Sequence, residues 1–277
     1  MSRLRREVVV SDGMTPGSLP PGLHPLVDGN PEPWMARWGE DDFGVFADFE
    51  VKGAAQRMRW VPAGTFRMGS PPGEEGRFDN EGPTRHLTLT QGLWMGDSPV
   101  TQELWVAVID KNSSWFHGLG RPVERVSWED VAGFCMHLNS DVPGLAARLP
   151  SEAEWERACR AGSDAARYGD VGDIAWYAGN SGGETRDVKG KCANALGFYD
   201  MLGNVFEWCS EWVFQDFRRA GAVDPDEPGK GQKRVLRGGS WDDDADFVRA
   251  GFRTAKAPNG RWGNVGFRLA RGQEANK

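Results

Sequence analysis

Apolar and polar positions alternate with a period of two over Arg85-His-Leu-Thr-Leu-Thr, which predicts a strand with one buried face. Upstream, Met58-Arg-Trp-Val and Phe66-Arg-Met flank Pro62-Ala63-Gly64, the pattern of two short strands joined by a turn. Helical spacing takes over in three places, each behind a capping residue. Thr101 precedes a helix over Gln102–Ile109, Ser127-Trp-Glu-Asp opens one to about Asn139, and Ser151-Glu-Ala-Glu, following Pro150, opens one to about Arg160. In each, a hydroxyl is placed to accept a hydrogen bond from a first-turn amide that has no partner within the helix. The second half offers only short apolar bursts between glycines, at 174–177, 197–212, 234–241 and 266–270, and no fixed-period repeat. Few helices and many short strands predict an α+β domain rather than a βαβ array.

Residues 1–34 are rich in Pro, Gly and polar groups and show little periodicity, and 35–57 have no clear pattern. The expected organisation is therefore an N-terminal extension over 1–57 and one folded domain over 58–277. The 277 residues include 37 Gly and 13 Trp. Glycine admits tightly bent backbone and tryptophan carries large apolar area, so irregular chain pinned by buried indoles is expected. A net charge of −7 argues against general affinity for nucleic acid or acidic membranes. No apolar run reaches the roughly 18–20 residues that cross a bilayer. The opening Val8-Val-Val stretch is too short for a signal-peptide core, so a cytoplasmic location is expected. Cys135, Cys159, Cys192 and Cys209 are widely spaced and read as free thiols, and the four histidines have no metal-ligand spacing.

Eight strings occur in a telling order: Phe66-Arg-Met-Gly-Ser, Glu81-Gly-Pro, Pro99-Val-Thr, Pro122-Val-Glu-Arg-Val-Ser-Trp, Arg148-Leu-Pro-Ser-Glu-Ala-Glu-Trp-Glu, Gly203-Asn-Val-Phe-Glu-Trp, Arg237-Gly-Gly-Ser-Trp and Gly266-Phe-Arg-Leu-Ala. Over 58–271 the chain thus resembles the formylglycine-generating enzyme (sulfatase-modifying factor) superfamily. The resemblance implies a C-type-lectin-like fold: a small twisted antiparallel sheet, flanking helices and much irregular loop. Trp128, Trp155, Trp208 and Trp241 are expected to pack the core.

The enzymes of that superfamily oxidise a cysteine with copper held by two thiolates near the C-terminal Gly-Gly-Ser string. Soft sulfur suits Cu(I), and no cysteine follows Cys209. Asp243 or Asp244 stands about where the first thiolate belongs, and a carboxylate is a hard ligand. Neither copper nor iron is expected; the iron-dependent sulfoxide synthases that share the domain take their ligands from a histidine cluster this chain lacks. A metal-dependent oxidoreductase or peptide- or sulfatase-modifying enzyme stays open as the alternative.

The chain is most similar to the variable proteins of diversity-generating retroelements, a non-enzymatic branch in which adenine-directed mutagenesis rewrites a stretch between Arg-Gly-Gly-Ser-Trp and Gly-Phe-Arg. Here that stretch is 242–264. Its expected ligand-binding residues are Asp242, Asp243, Asp244, Asp246, Phe247, Gly251, Phe252, Thr254, Ala255, Gly260, Trp262, Gly263 and Asn264, interspersed with Arg249, Arg253, Pro258 and Arg261 as fixed positions. Trp262 and Lys256 lie outside what an Asn codon randomised at its two adenines encodes. Independently of any family, two dozen residues without periodicity between apolar anchors predict a long surface loop, of a length that is usually functional or disordered. The expected partner is a protein or other macromolecule. The resemblance further implies a structural calcium held by the side chains of Asp200 and Glu207 and the carbonyls of Gly203 and Val205, oxygen donors that suit that ion.

Overall fold

The computed structural model describes residues 26, 29–213, 222–225 and 231–271. Residues 1–25, 27 and 28 of the expected extension lie outside the described residues. Strands β1 (Arg37–Asp41), β2 (Gly44–Val51) and β3 (Ala54–Val61) form an antiparallel meander; β4 (Gly64–Met68) and β5 (Arg85–Leu89) pair as a separate two-stranded ribbon. Then come β6 (Leu93–Gly96), α1 (Gln102–Ile109), α2 (Trp128–Asp141), α3 (Glu152–Arg160) and the single turn α4 (Val171–Ile174). The C-terminal third supplies β7 (Phe206–Trp212), β8 (Arg234–Arg237), β9 (Arg253–Lys256), β10 (Val265–Gly266) and β11 (Ala270–Arg271). One sheet runs β1-β2-β3-β6-β11 and the other β10-β7-β8-β9. In the second, β10 lies parallel to β7 and the remaining pairs are antiparallel. The α+β architecture read from the sequence is present.

The helix starts follow from their caps. Thr101 Oγ1 accepts from the Leu104 amide at 3.2 Å. Ser127 and Ser151 accept from Asp130 and Glu154 at 3.0 and 3.1 Å, while those carboxylates accept from the serine amides at 2.8 and 2.7 Å. Such caps are each worth about 1 kcal/mol. Helix α2 runs two residues beyond the expected Asn139, and α3 ends at Arg160 as expected.

The domain boundary expected after residue 57 falls inside β3 and is corrected. Ala47, Phe49 and Val51 on β2 alternate into the core, and Trp34 meets Trp94 edge-on at 5.7 Å. The alternation was hidden because Asp48, between buried neighbours, is itself buried, with Arg57 donating to it at 2.8 Å. The core is built around aromatic rings, among them Trp105 stacked on Phe134 at 5.1 Å and Phe134 against Phe267 at 5.3 Å. Trp155 and Trp208 are fully buried, whereas Trp128 and Trp241 are half-buried. The indole N–H groups of Trp208, Trp128 and Trp241 donate to the carbonyls of Val126, Cys209 and Gly263 at 3.0–3.1 Å, so each ring ties a loop or strand to its neighbour.

Candidate functional site

The stretch 242–264 is not a free surface loop. After the Gly238-Gly239 bend it makes a single 3-10 turn at Ala245–Phe247, turns inward over Val248–Phe252, pairs with β8 as β9, and returns past the start of α2 to β10. Its arginines take their carboxylate partners from distant segments, Arg249 keeping one local bond from Nε to the Asp246 carbonyl at 2.7 Å. Arg249 donates to Glu81 at 2.7 Å and to Glu74 at 2.5 Å; Arg253 donates to Glu152 at 2.7 Å from Nε. From β8, Arg237 donates to Glu156 and to the carbonyls of Ala250, Gly251 and Phe252, all inside the protein. These pairs fix the backbone of the segment from beneath. Arg249 and Arg253, two of the positions expected to be fixed, belong to this frame; Arg261, the third arginine among them, is exposed and donates to Asp130 at 2.7 Å.

This anchoring divides the expected ligand-binding residues. Gly251 and Phe252 are buried, which corrects their assignment to the surface. A methyl group at Gly251 would run into the Ser70 hydroxyl. Phe247 is half-buried, stacked on Phe78 at 5.7 Å, with Asp246 exposed beside it. Thr254 and Ala255 are half-buried on β9. A second group gathers elsewhere. The Ser240 hydroxyl bonds Asp243 and accepts from Asn264 at 3.3 Å, and Trp241 donates to Gly263. The carboxyl of Asp243 is raised from its usual range by burial, against the opposing bond from Ser240 and the charge of Lys256. Lys256 Nζ lies 4.4 Å from the Trp262 ring centre, a cation–π contact that leaves this indole half-buried. Asp242 and Asp244 are exposed, and Gly260, Gly263 and Asn264 half-buried.

The loop after α1 completes this second group, and sequence reasoning passed over it. Trp115 is 68% exposed, and Phe116 meets Trp241 edge-on at 5.2 Å. The signal was there: Ser113-Ser-Trp-Phe is an aromatic pair in a polar, glycine-containing stretch outside any helical period. Glu124 holds the loop in place. Its Oε1 accepts from the amides of Trp115 and Phe116, the latter at 2.8 Å. Its Oε2 is buried and has no hydrogen-bond partner, and burial pushes the carboxyl up to about 7, opposed by the two amides.

The expected calcium set does not fit. Glu207 is fully buried and its two oxygens accept from Arg268 at 2.6 and 2.7 Å, with Trp155 Nε1 adding a bond at 2.7 Å. A guanidinium already supplies the positive charge there, and a dication beside it would be repelled. Asp200 turns to the Lys189 amide at 2.7 Å and to Asn204 at 3.3 Å; burial pushes its carboxyl up to about 6. Gly203, at φ +77°, lies against the Trp176 carbonyl, an approach that leaves no room for a side chain, and Val205 is fully buried. Among the described residues no group of three His, Cys, Asp or Glu side chains is placed to hold a metal.

Sulfur chemistry is no better served. Burial pushes Cys135 and Cys159 up to about 12 and raises Cys209 as well, so these thiols stay protonated; Cys192 alone of the four is exposed. No helix among the described residues is long and apolar enough to cross a membrane.

Small sheets, capped helices and long ordered segments anchored by buried arginines define a C-type-lectin-like domain of the formylglycine-generating-enzyme type. The chain belongs to the sulfatase-modifying factor enzyme 1-like domain family, whose profile matches residues 42–273. It is similar to serine/threonine-protein kinase Pkn1 of Chlamydia trachomatis, 31% identical over 77% of this chain and 38% of the kinase. The chain spans about two fifths of the length of the chlamydial kinases it matches. The formylglycine-generating enzyme of Streptomyces coelicolor is 34% identical over 54% of this chain and 52% of its own length. Among solved structures, variable protein 1 of Treponema denticola superimposes with a TM-score of 0.74 at 30% identity, covering 82% of this chain and 98% of that protein.

Proposed function

We propose that the chain is a non-catalytic ligand-binding display protein. Its recognition surface is formed by the outward residues of 242–264, namely Asp242, Asp243, Asp244, Trp262, Gly263 and Asn264, together with Trp115, Phe116 and Trp241. The observation that carries this reading is the inward anchoring of the segment. Arg237, Arg249 and Arg253 hold its backbone through buried carboxylates and carbonyls, so the frame does not depend on the side chains of Asp242 and Asp244, and Trp262 packs in part against the core. A rigid frame under exchangeable side chains suits recognition of a macromolecule, with aromatic rings supplying contact area and short polar residues supplying adaptable hydrogen bonds. The likeness to the Treponema variable protein supports the same reading. Diversification of 242–264 belongs to it.

A redox enzyme of this family is the second reading, favoured by the similarity to the Streptomyces enzyme. Against it stand three thiols held protonated by burial and the single exposed Cys192, which leave no thiolate pair for copper. Two measurements separate the readings. Deep sequencing of the gene across one culture is expected to find substitutions at adenines, confined to the codons for 242–264. The purified chain, supplied with copper, oxygen and a cysteine-containing peptide, is expected to form no aldehyde by mass spectrometry. Aldehyde formation would overturn the display reading.

A further inference from the structure

One buried carboxylate beside the recognition surface is only half used. Glu124 is 0% exposed, yet Oε2 of its carboxylate has no hydrogen-bond partner. Oε1 already serves two amides, which accounts for the ordering of the loop and for only half of the side chain's capacity. A buried acceptor left unmade costs about 1–3 kcal/mol, more when charged. The free oxygen lies toward the recognition surface: a methyl group built on Gly263 would stand 3.7 Å from it and 4.0 Å from the Trp115 Cβ, with nothing closer. Gly263 is half-exposed, and those distances are ordinary van der Waals spacing. Steric crowding therefore does not require glycine here; the missing side chain leaves an opening above the carboxylate.

We propose that Glu124 Oε2, beneath Gly263 and beside Trp115, seats a primary ammonium, the lysine side chain of a protein partner. This deepens the display reading and rests on it. A single free oxygen accepts one strong bond from a compact point charge, whereas the planar fork of an arginine needs two parallel acceptors to use its geometry. Aromatic faces complete the seat. Trp115 stands exposed at its mouth, and Phe116 and Trp241 meet edge-on beside it, surfaces that attract a cation through their quadrupoles. Arg125, whose guanidinium carbon is 5.5 Å from the Trp115 ring, adds positive charge nearby but gives Oε2 no hydrogen bond. Entry displaces the Trp115 indole, which lies outside the core. Position 263 acts as a selector: glycine leaves the carboxylate to the partner, and a side chain there closes the seat from within the chain.

The test uses the full chain and two small probes, the N-acetyl methylamides of lysine and of norleucine, its uncharged isostere. In an NMR titration the lysine derivative is expected to shift the indole resonances of Trp115 and Trp241, and the norleucine derivative to leave them in place. Glu124→Gln keeps an oxygen for the two loop amides but puts an N–H₂ donor in place of Oε2, so the lysine derivative should bind roughly tenfold more weakly or worse. Gly263→Val should abolish the shifts, with unchanged circular dichroism showing that both variants fold. Equal response to the two probes, or an unchanged affinity of Glu124→Gln, overturns the proposal. Failure here alongside substitutions confined to codons 242–264 removes the lysine seat and leaves the display reading standing; aldehyde formation removes the display reading itself.

Discussion

Arg268 holds Glu207 through two hydrogen bonds, from Nε at 2.6 Å and Nη2 at 2.7 Å, with both side chains fully buried. The same guanidinium donates to the carbonyls of Gly96, Tyr199 and Asp200 at 2.9, 3.0 and 3.3 Å, tying the end of β6 to the turn before β7. Removing one member of such a pair strands the other charge in the interior, so Arg268→Ala should cost about 3–5 kcal/mol. Urea unfolding monitored by tryptophan fluorescence measures it. A loss below 1 kcal/mol would show that water reaches the site and that the pair is not a keystone.

Tolerance to substitution should split along 242–264 according to burial. Gly251→Ala pushes a methyl into Ser70 and should lose about 1–3 kcal/mol, as overpacked sites do. Asp244→Ala, at an exposed position without a capping bond, should stay within about 0.5 kcal/mol of the parent. Thermal melts of the two variants are sufficient, and similar losses at both positions would contradict the division into frame and face.

Anchoring from beneath has a kinetic signature. Arg249 joins the segment to the 74–81 loop through Glu74 and Glu81, and the Glu81 carboxyl sits below its usual range because the bond from Arg249 and those from Ser70 and the Phe78 amide outweigh burial. Arg249→Ala should raise amide hydrogen exchange over 244–252 and leave α2 protected. Uniform acceleration across the chain would mean global destabilisation instead of a local release.

The pH response of Glu124 runs opposite to that of Glu81. Glu81 titrates lower in the folded state, so its contribution is complete above the unfolded carboxylate range and is lost as pH falls through the folded value. Glu124 titrates at about 7 in the fold, above its unfolded value of 4.5. Between those two values the unfolded chain has released a proton that the folded chain retains, so stability declines as pH rises across that window. Glu124→Gln cannot titrate, and its stability relative to the parent should improve from pH 4.5 to pH 7. Calorimetry at both ends measures the trend; a constant offset would mean that Glu124 is ionised throughout.

Local chemistry made much of this structure legible. Ser127 and Ser151 announced their helices because a cap is decided within four residues, and the ordered strings from Phe66 to Gly266 carried the fold. Asp48 misled because its charge is cancelled by Arg57 from the next strand, a pairing that only the register of β2 on β3 creates. Gly251 misled for a related reason: a small residue in a polar stretch reads as surface until Ser70, 181 positions earlier, is folded against it. The calcium set failed on Arg268, which lies 61 residues beyond Glu207 and reaches it only across the core.

The placement of Trp34, β1 and β2 also bears on how the domain is handled outside its native chain. A fragment begun at residue 58 would start midway along β3, strip that strand of its antiparallel neighbour and uncover the Trp94 ring. Unpaired backbone along one margin, next to bare indole, is a template for copy-to-copy pairing. Shortening the protein to its most recognisable strings would therefore yield a sticky remnant, and the portable unit begins upstream of Trp34.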